Sequence, residues 1–250
     1  MKKLIIMLQF LTRIPINLEL KVENQDFSKG VIYFPLVGLI IGAINGLVFV
    51  MSSIIFEGLI PLIFVLLSNT LITGGLHLDG VADTSDAIYS ARKKERMLEI
   101  MKDSRVGTNG VLALFFVLFF KLAFYDAIDS SILLPIIMVT PMIGRTSIGV
   151  TLYKGKCARK GESLGSLFVG KTTFAQTAVM IFYSSIICFI FLEYAGLFSF
   201  IFSLFLALIL KVYFSNKIGG LSGDILGAVN EVVELFFLAI FLMFGILGGL

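Results

Sequence analysis

The chain alternates between long apolar stretches and shorter charged segments. Seven of the apolar stretches reach or approach the length of about 20 residues that a membrane-spanning helix needs. They are residues 33–56, 59–78, 108–125, 132–153, 174–192, 197–214 and 232–250. The pattern therefore predicts an all-α fold, a polytopic membrane helical bundle with about seven transmembrane helices.

The lysines and arginines indicate how this bundle is oriented. All but three of these 20 residues fall in alternate connections between the predicted spans. These connections are residues 1–32, 79–107, 154–173 and 215–231. By the positive-inside rule, the N-terminus and the long loops lie in the cytoplasm and the C-terminus lies outside the cell membrane.

The composition agrees with a single integral membrane domain over residues 1–250. The chain is 58% hydrophobic and 15% charged, whereas soluble domains are about 45–50% apolar and about 25% charged. A disordered chain, a nucleic-acid-binding module and a disulfide scaffold fit this composition poorly. Residues 1–32 lack a small-residue cleavage site, so we expect a retained amphipathic segment at the membrane interface.

Residues 73–110 are the first of two cytoplasmic segments with candidate chemistry. Asp79, Asp83 and Asp86 are spaced so that they share one face of a helix. Three carboxylates on one face repel one another unless a cation lies among them. Mg²⁺ prefers oxygen ligands of this kind, often together with substrate phosphates. The spacing predicts a magnesium site, with a solvated acidic helix surface as the alternative.

Other polar residues of this segment carry weaker signals. His77, the only histidine, is interpreted as a structural hydrogen-bonding residue, because no second His or paired Cys accompanies it for a zinc site. Lys102 and Arg105 lie in a short turn bounded by glycine. A turn that presents cations and backbone N–H groups is typical of an anion site.

Residues 215–231 are the second cytoplasmic segment, and they partly repeat the first. Residues 219–224 match residues 74–79 as Gly-Gly-Leu-x-x-Asp, which indicates either an internal repeat or a chance match. Asp224 shares a helical face with Glu231, seven residues further on. Both side chains are candidates to join the first acidic cluster around a metal ion.

Two cations inside predicted spans also need partners. Charged side chains within a membrane usually face the bundle interior and pair with another group. We expect Arg145 to pair with an acidic residue or with a substrate phosphate. We expect Lys121 to pair with a nearby Asp or to reach an interface.

Five stretches of the sequence resemble the cobalamin synthase family, whose members are adenosylcobinamide-GDP ribazoletransferases. They read FLTRIPI at 10–16, FPLVGLIIG at 34–42, HLDGVADTSDA at 77–87, MKDSRVGTNGVLAL at 101–114 and GGLSGDILGAVNE at 219–231. The resemblance extends from Phe10 to about Glu234. The block at 77–87 is its most specific part.

Other positions match the family pattern more loosely. A loop resembles the family's Arg- and Gly-bearing loop at Arg159, Gly161 and Gly165. Thr146 stands where many relatives have an aromatic residue, and Ala87 where many have glycine. Neither departure removes a candidate ligand.

The resemblance implies a membrane enzyme that acts late in cobalamin assembly. It would join adenosylcobinamide-GDP to α-ribazole, or to its 5′-phosphate, release GMP and use Mg²⁺. The resemblance also implies roles for the residues described above. Asp79, Asp83 and Asp86 would bind the metal, and Asp224 or Glu231 would serve as a further ligand or base, which makes Asp86, Asp224 and Glu231 the candidate catalytic residues. Lys102, Arg105 and Arg145 would hold phosphate oxygens.

Two other functions share part of this pattern. A CDP-alcohol phosphotransferase also sets an Asp-rich helix and Mg²⁺ against a nucleotide diphosphate, but its DGxxAR motif is interrupted here, since Asp83 follows Ala82. A secondary transporter would have paired glycine breaks and intramembrane charges. Its binding site would lie near the membrane midplane, whereas these carboxylates cluster at the cytoplasmic edge.

Overall fold

The computed structural model describes residues 1–158 and 164–248, and within these ranges it contains helices and no strand. The α-helices are α1 (Lys2–Leu11), α2 (Asn24–Gly30), α3 (Phe34–Ser53), α4 (Ile60–Thr73), α5 (Leu76–Tyr89), α6 (Lys94–Ile100), α7 (Thr108–Ala127), α8 (Ser130–Leu152), α9 (Phe174–Ile218) and α10 (Gly223–Gly248). Short 3-10 helices occur at Val31–Tyr33 and Leu164–Leu167. The all-α prediction is confirmed.

Several helices have the length and apolar character of membrane spans. Five in the described chain qualify, or up to six if α4 and α5 together make one bent span. The polytopic helical bundle is thereby confirmed, whereas the count of seven stays a prediction. α9 is 45 residues long, and its backbone is broken at Glu193 (φ 51°, ψ −147°). The break lies in the connection predicted between spans 174–192 and 197–214.

The second predicted span, residues 59–78, is wrong at its C-terminal end. α4 already ends at Thr73, because Gly74 (φ 63°) and Gly75 (φ 70°) both adopt the left-handed conformation. Glycine reaches this conformation without the steric cost that other residues incur. α5 then starts at Leu76 and runs at 89° to α4.

The start of the last predicted span is also wrong. α10 begins at Gly223, well before the predicted start at residue 232. The apolar pattern missed this start because polar residues such as Asp224 and Asn230 interrupt it. As a consequence, Glu231 lies within α10 and is buried in the bundle.

Glycines determine how closely α3 packs on α8. A Cβ atom at Gly38 would collide with the backbone of Pro141, and one at Gly42 would collide with the carbonyl group of Met138. Small residues at such crossings let helix backbones approach closely in membrane proteins. α8 therefore lies at the centre of the bundle, and all of its residues from 139 to 152 are buried.

The N-terminal segment packs against the bundle near the end of α4. α1 buries Ile6, Met7 and Leu11. The backbone N–H of Arg13 donates a hydrogen bond of 2.6 Å to the carbonyl oxygen of Ile72. The segment thus contacts the protein directly, while its position at a membrane interface stays a prediction.

Candidate functional site

Two turns, each with a pair of glycines, precede the helices that carry the candidate site. Residues 74–75 follow α4 and residues 219–220 follow α9, and all four glycines have positive φ angles. Each turn is followed by a helix with an aspartate in its first turn, Asp79 in α5 and Asp224 in α10. A carboxylate in this position interacts favourably with the helix dipole. The two segments of the predicted repeat therefore share a local structure as well as a sequence pattern.

α5 and α10 contact each other at two further glycines. A Cβ atom at Gly80 would collide with the backbone carbonyl of Asp224, and one at Gly227 would lie 3.1 Å from the Cα of His77. Because neither position carries a side chain, the two helix backbones can approach this closely. The first turns of both helices consequently face the same space.

A cavity of about 250 Å³ lies where these two helix starts meet α1, α3 and α8. Its polar side chains are those of His77, Asp79 and Asp224, and phenylalanine, leucine, isoleucine and glycine residues line the rest. Asp79 is exposed, whereas His77 is buried. The structure thus brings together one predicted acidic residue from each of the two segments, residues 73–110 and 215–231.

Asp86 lies away from this cavity and contacts the start of α7. Its carboxylate accepts hydrogen bonds from the backbone N–H of Gly107 at 2.6 Å and of Gly110 at 2.9 Å. The first N–H groups of a helix have no partner within the helix itself. A Cβ atom at either glycine would collide with the carboxylate. Asp86 therefore acts as a cap for α7 in this structure.

The three aspartates of α5 do not come together as one group in the described residues. Within the described part of the chain, no three His, Cys, Asp or Glu side chains are grouped so that they could hold a metal ion. Metal binding by Asp79, Asp83 and Asp86 thus stays a prediction. Mg²⁺ often binds through only one or two carboxylates, with substrate phosphates and water as its other ligands. Asp79 and Asp224, which share the cavity, fit that smaller donor set.

Four charged side chains from α7, α8 and α10 form a buried ion-pair network. Lys121 donates to Glu231 at 2.5 Å and to Glu234 at 2.6 Å. Arg145 donates to Glu234 at 2.9 Å, and the amide of Asn230 donates to both glutamates. Each of the four charged residues is at most 3% exposed. Removing one partner from such a buried pair typically costs about 3–5 kcal/mol.

The network corrects the expectations for its members. Glu231 was expected on the cytoplasmic surface but is buried in the bundle. Lys121 pairs with two glutamates of another helix and not with a nearby Asp or an interface. Arg145 is fully buried and has an acidic partner, as expected, while its contact with a substrate phosphate stays a prediction. The sequence analysis did not identify Glu234. Its carboxylate lies within a predicted span, three residues after Glu231, and this position could have indicated a buried partner for a cation.

His77 connects the cavity with this network. Its buried Nδ1 lies 4.0 Å from Oε1 of Glu231 and has no hydrogen-bond partner among the described residues. An ion pair forms at this distance only when the imidazole is protonated. The structural hydrogen-bonding role predicted for His77 stays a prediction.

Lys102 and Arg105 lie on an exposed turn between α6 and α7, and neither residue lines the cavity. Arg105 donates to the carboxylate of Asp103 through Nε at 3.0 Å and through Nη2 at 2.6 Å. These hydrogen bonds lower the pKa of Asp103 to about 2. The Arg105 guanidinium is therefore engaged by its neighbour, and phosphate binding by this turn stays a prediction.

Parts of the cavity wall come from residues that the motifs did not single out. Phe10, Phe34 and Phe168 line the cavity, together with Gly165 of the loosely matching loop. The sequence marks these phenylalanines only as apolar, and their convergence depends on the tertiary fold. The other two positions of that loop that were considered, Arg159 and Gly161, lie outside the described residues.

The fold and the site together define a class of protein. Apolar helices of membrane-spanning length form the bundle, and two helix starts present carboxylates to a cavity beside a buried ion-pair network. These are features of a polytopic α-helical membrane protein with a cavity that contains carboxylates. The chain belongs to the cobalamin-5-phosphate synthase family, whose family model matches residues 3–242.

Individual relatives agree with this assignment. The adenosylcobinamide-GDP ribazoletransferase of Clostridium novyi is 42% identical, over 98% of this chain and 98% of the relative. Enzymes of the same name are 43% identical in Clostridioides difficile, over 95% and 96%, and 41% identical in Thermoanaerobacter pseudethanolicus, over 94% of both chains. The comparison with solved structures found no match. The predicted family resemblance is confirmed, and neither a CDP-alcohol phosphotransferase nor a transporter gains support.

Proposed function

We propose that this protein joins adenosylcobinamide-GDP to α-ribazole, or to α-ribazole 5′-phosphate, and releases GMP in a Mg²⁺-dependent reaction. Relatives that are 41–43% identical over nearly the whole chain carry the name of that transferase. The observation that carries the proposal is that Asp79 and Asp224 line one cavity. Paired carboxylates suit a cation-dependent reaction on a diphosphate, in which positioning and charge stabilisation dominate.

The proposed reaction is a displacement at phosphorus. A ribose hydroxyl oxygen of the acceptor forms a bond to the phosphorus nearest the cobinamide. The bond from that phosphorus to the bridging oxygen of the diphosphate breaks, and GMP leaves with this oxygen and the bonding electron pair. The hydroxyl proton passes to a base, so that the acceptor and the cobinamide become joined through one phosphate.

Asp79 and Asp224 are the residues that would hold Mg²⁺. Their carboxylate oxygens are ligands that this ion prefers, and substrate phosphates and water complete its coordination. When bound, the ion supplies positive charge against the negative charge of the diphosphate. Asp86 is less suited, because both of its oxygens accept hydrogen bonds from backbone N–H groups at the start of α7.

Asp224 is also the better placed of the two residues considered as base. It lines the cavity, whereas Glu231 is buried and paired with Lys121. A carboxylate that binds a metal through one oxygen keeps its other oxygen as a proton acceptor. Glu231 then contributes as a positioning residue, since the network that contains it lies beside His77 in the cavity wall.

We also propose that the site faces the cytoplasm and that the bundle lies in the cell membrane. The distribution of lysine and arginine among the connections supports this orientation. It is tested by labelling Ser104→Cys, on the exposed turn before α7, in a Cys157→Ser background. A membrane-impermeant thiol reagent should label this cysteine only after the cells are opened, and labelling of intact cells would contradict the orientation.

The proposed activity is tested with protein purified in detergent. The protein is mixed with adenosylcobinamide-GDP, Mg²⁺ and either α-ribazole or its 5′-phosphate, and products are separated by liquid chromatography. We expect GMP and a cobalamin product in equal amounts, and no product when EDTA removes the metal. Folded protein that releases no GMP with either acceptor would contradict the proposal.

A further inference from the structure

Four phenylalanines from separate segments form one aromatic cluster beside the cavity. The ring centroid of Phe168 lies 5.1 Å from that of Phe10, 5.5 Å from that of Phe34 and 5.7 Å from that of Phe27. Phe10 belongs to α1, Phe27 to α2 and Phe34 to α3, while Phe168 follows the 3-10 helix Leu164–Leu167. Phe10, Phe34 and Phe168 line the cavity, and Phe27 packs behind them without lining it.

The cavity lining therefore contains two chemically different groups of side chains. The three phenylalanines that line it form an aromatic wall, defined here as Phe10, Phe34 and Phe168. The polar side chains of the cavity are those that α5 and α10 present, including Asp79 and Asp224. This lining suits a ligand in which an apolar ring is joined to a polar or phosphorylated part.

The volume of the cavity limits which part of each substrate it can enclose. At about 250 Å³, it is slightly smaller than the pockets of about 300–1,000 Å³ that enclose drug-sized ligands. A corrinoid joined to GDP is much larger than such ligands, so this space can enclose only a part of the donor. One heteroaromatic base with part of its ribose matches the size far better.

We infer that the aromatic wall is the subsite for the heteroaromatic base of the acceptor, an inference that rests on the proposed function. Aromatic rings pack favourably in offset or edge-to-face arrangements, which the cluster already shows among its own members. With the base against the wall, the acceptor ribose lies towards Asp79 and Asp224. The hydroxyl that attacks phosphorus is thereby held beside the carboxylates.

The donor carries two other heteroaromatic bases, the adenine of its adenosyl group and the guanine of its GDP, and both have polar edges. Guanine has hydrogen-bond donors and acceptors around its edge, and these groups lose free energy when they are buried without partners. Phenylalanine side chains offer no such partners. The base of α-ribazole is a benzimidazole, and its carbocyclic edge needs no hydrogen-bond partner. The wall therefore favours the acceptor base over either base of the donor.

The test compares Phe10→Leu and Phe168→Leu with the matched control Phe27→Leu. Leucine keeps the apolar character of each site and removes only the ring, and thermal unfolding of each variant verifies that it folds. The Kd of labelled α-ribazole is measured by equilibrium dialysis without the donor, and the KM values of both substrates are measured during turnover. In Phe10→Leu and Phe168→Leu, we expect the Kd and KM of α-ribazole to rise roughly 3- to 10-fold. The KM of adenosylcobinamide-GDP should stay unchanged, and Phe27→Leu should behave as the wild type.

Each other outcome has a definite meaning. An equal rise in all three variants would show that the cluster acts only in packing, and a rise confined to the KM of the donor would assign the wall to a base of the donor. Either result overturns the inference while leaving the proposed function in place. Wild-type protein that binds α-ribazole but releases no GMP would instead overturn the proposed function alone.

Discussion

At the scale of single residues, Asp86 links the end of α5 to the start of α7 through two hydrogen bonds to backbone N–H groups. An asparagine at this position has one acceptor oxygen and would direct its NH₂ group at the second N–H. We expect Asp86→Asn to destabilise the protein by about 1–3 kcal/mol. The midpoint of thermal unfolding in detergent measures this, and Asp79→Asn, at an exposed site without such contacts to α7, is the control. Equal midpoints for the two variants would contradict the capping role.

The turn that carries Lys102 and Arg105 leads to a prediction about pH. Hydrogen bonds from Arg105 lower the pKa of Asp103 from 3.8 to about 2. A carboxylate with a lowered pKa contributes stability above its unfolded-state pKa, and this contribution is lost as the pH falls through the folded-state pKa. The pair therefore stays ionised between about pH 5 and pH 8, where the reaction would be assayed. We expect Asp103→Asn to leave the pH profile of GMP release unchanged, and a displaced acidic limb would contradict this.

The acidic residues show which parts of the site are visible in the sequence. Asp79 and Asp224 could be predicted because the repeat places each of them five residues after the first glycine of its Gly-Gly pair. The capping role of Asp86 could not, because it depends on where the backbone of Gly107 and Gly110 arrives. Glu231 has the same helical spacing from Asp224 that Asp86 has from Asp79. Spacing along one helix does not reveal whether a carboxylate meets solvent, a helix start or a buried lysine.

At the scale of helices, the contact between α5 and α10 depends on Gly80. A methyl group there would collide with the backbone carbonyl of Asp224, so Gly80→Ala must move the two helix starts apart. We expect the rate of GMP release to fall by about tenfold or more, because small displacements of reacting groups have large kinetic costs. Gly245→Ala is the matched control, since a Cβ atom at this position of α10 meets nothing within 4 Å. A Gly80→Ala protein with the wild-type rate would contradict the role of this contact.

The buried ion-pair network joins three helices and leads to a prediction about stability. Lys121→Met leaves Glu231 and Glu234 buried without their shared cation, which should cost about 3–5 kcal/mol. Total stabilities of proteins are only about 5–15 kcal/mol, so the yield of monodisperse protein in size-exclusion chromatography should drop clearly. Adding Glu231→Gln to Lys121→Met removes one uncompensated charge and should restore part of this yield. Lys121→Met protein with the yield and unfolding temperature of the wild type would contradict this account of the network.

The helices differ in how well the apolar pattern predicts them. α7 and α8 lie within a few residues of the predicted spans, because a long apolar run is a local property of the sequence. The bend between α4 and α5 was not predicted, since apolar residues continue beyond it at Leu76 and Leu78. The early start of α10 was not predicted for the opposite reason. Polar residues in its first turns interrupt the apolar pattern from which the spans were predicted.

At the scale of the whole molecule, the charges are arranged in two different ways. The cations of the connections sort to one side of the predicted bundle, which accounts for the net charge of +3 without implying an acidic partner. The charges inside the bundle compensate one another in the Lys121 network, beside a cavity whose carboxylates come from distant parts of the chain. The cavity therefore combines two carboxylates with an aromatic wall, and only the tertiary fold brings these together.

We propose that Asp79 and Asp224, which follow two glycine turns and line one cavity, act together there with Mg²⁺. The most direct test is a Mg²⁺ titration of GMP release by Asp79→Asn and Asp224→Asn, with the exposed Asp126→Asn at the other end of α7 as the matched control. We predict that each site variant needs about 10- to 100-fold more Mg²⁺ for half-maximal rate, or loses turnover altogether, and that the control matches the wild type. A wild-type Mg²⁺ dependence and rate in either site variant would contradict the claim.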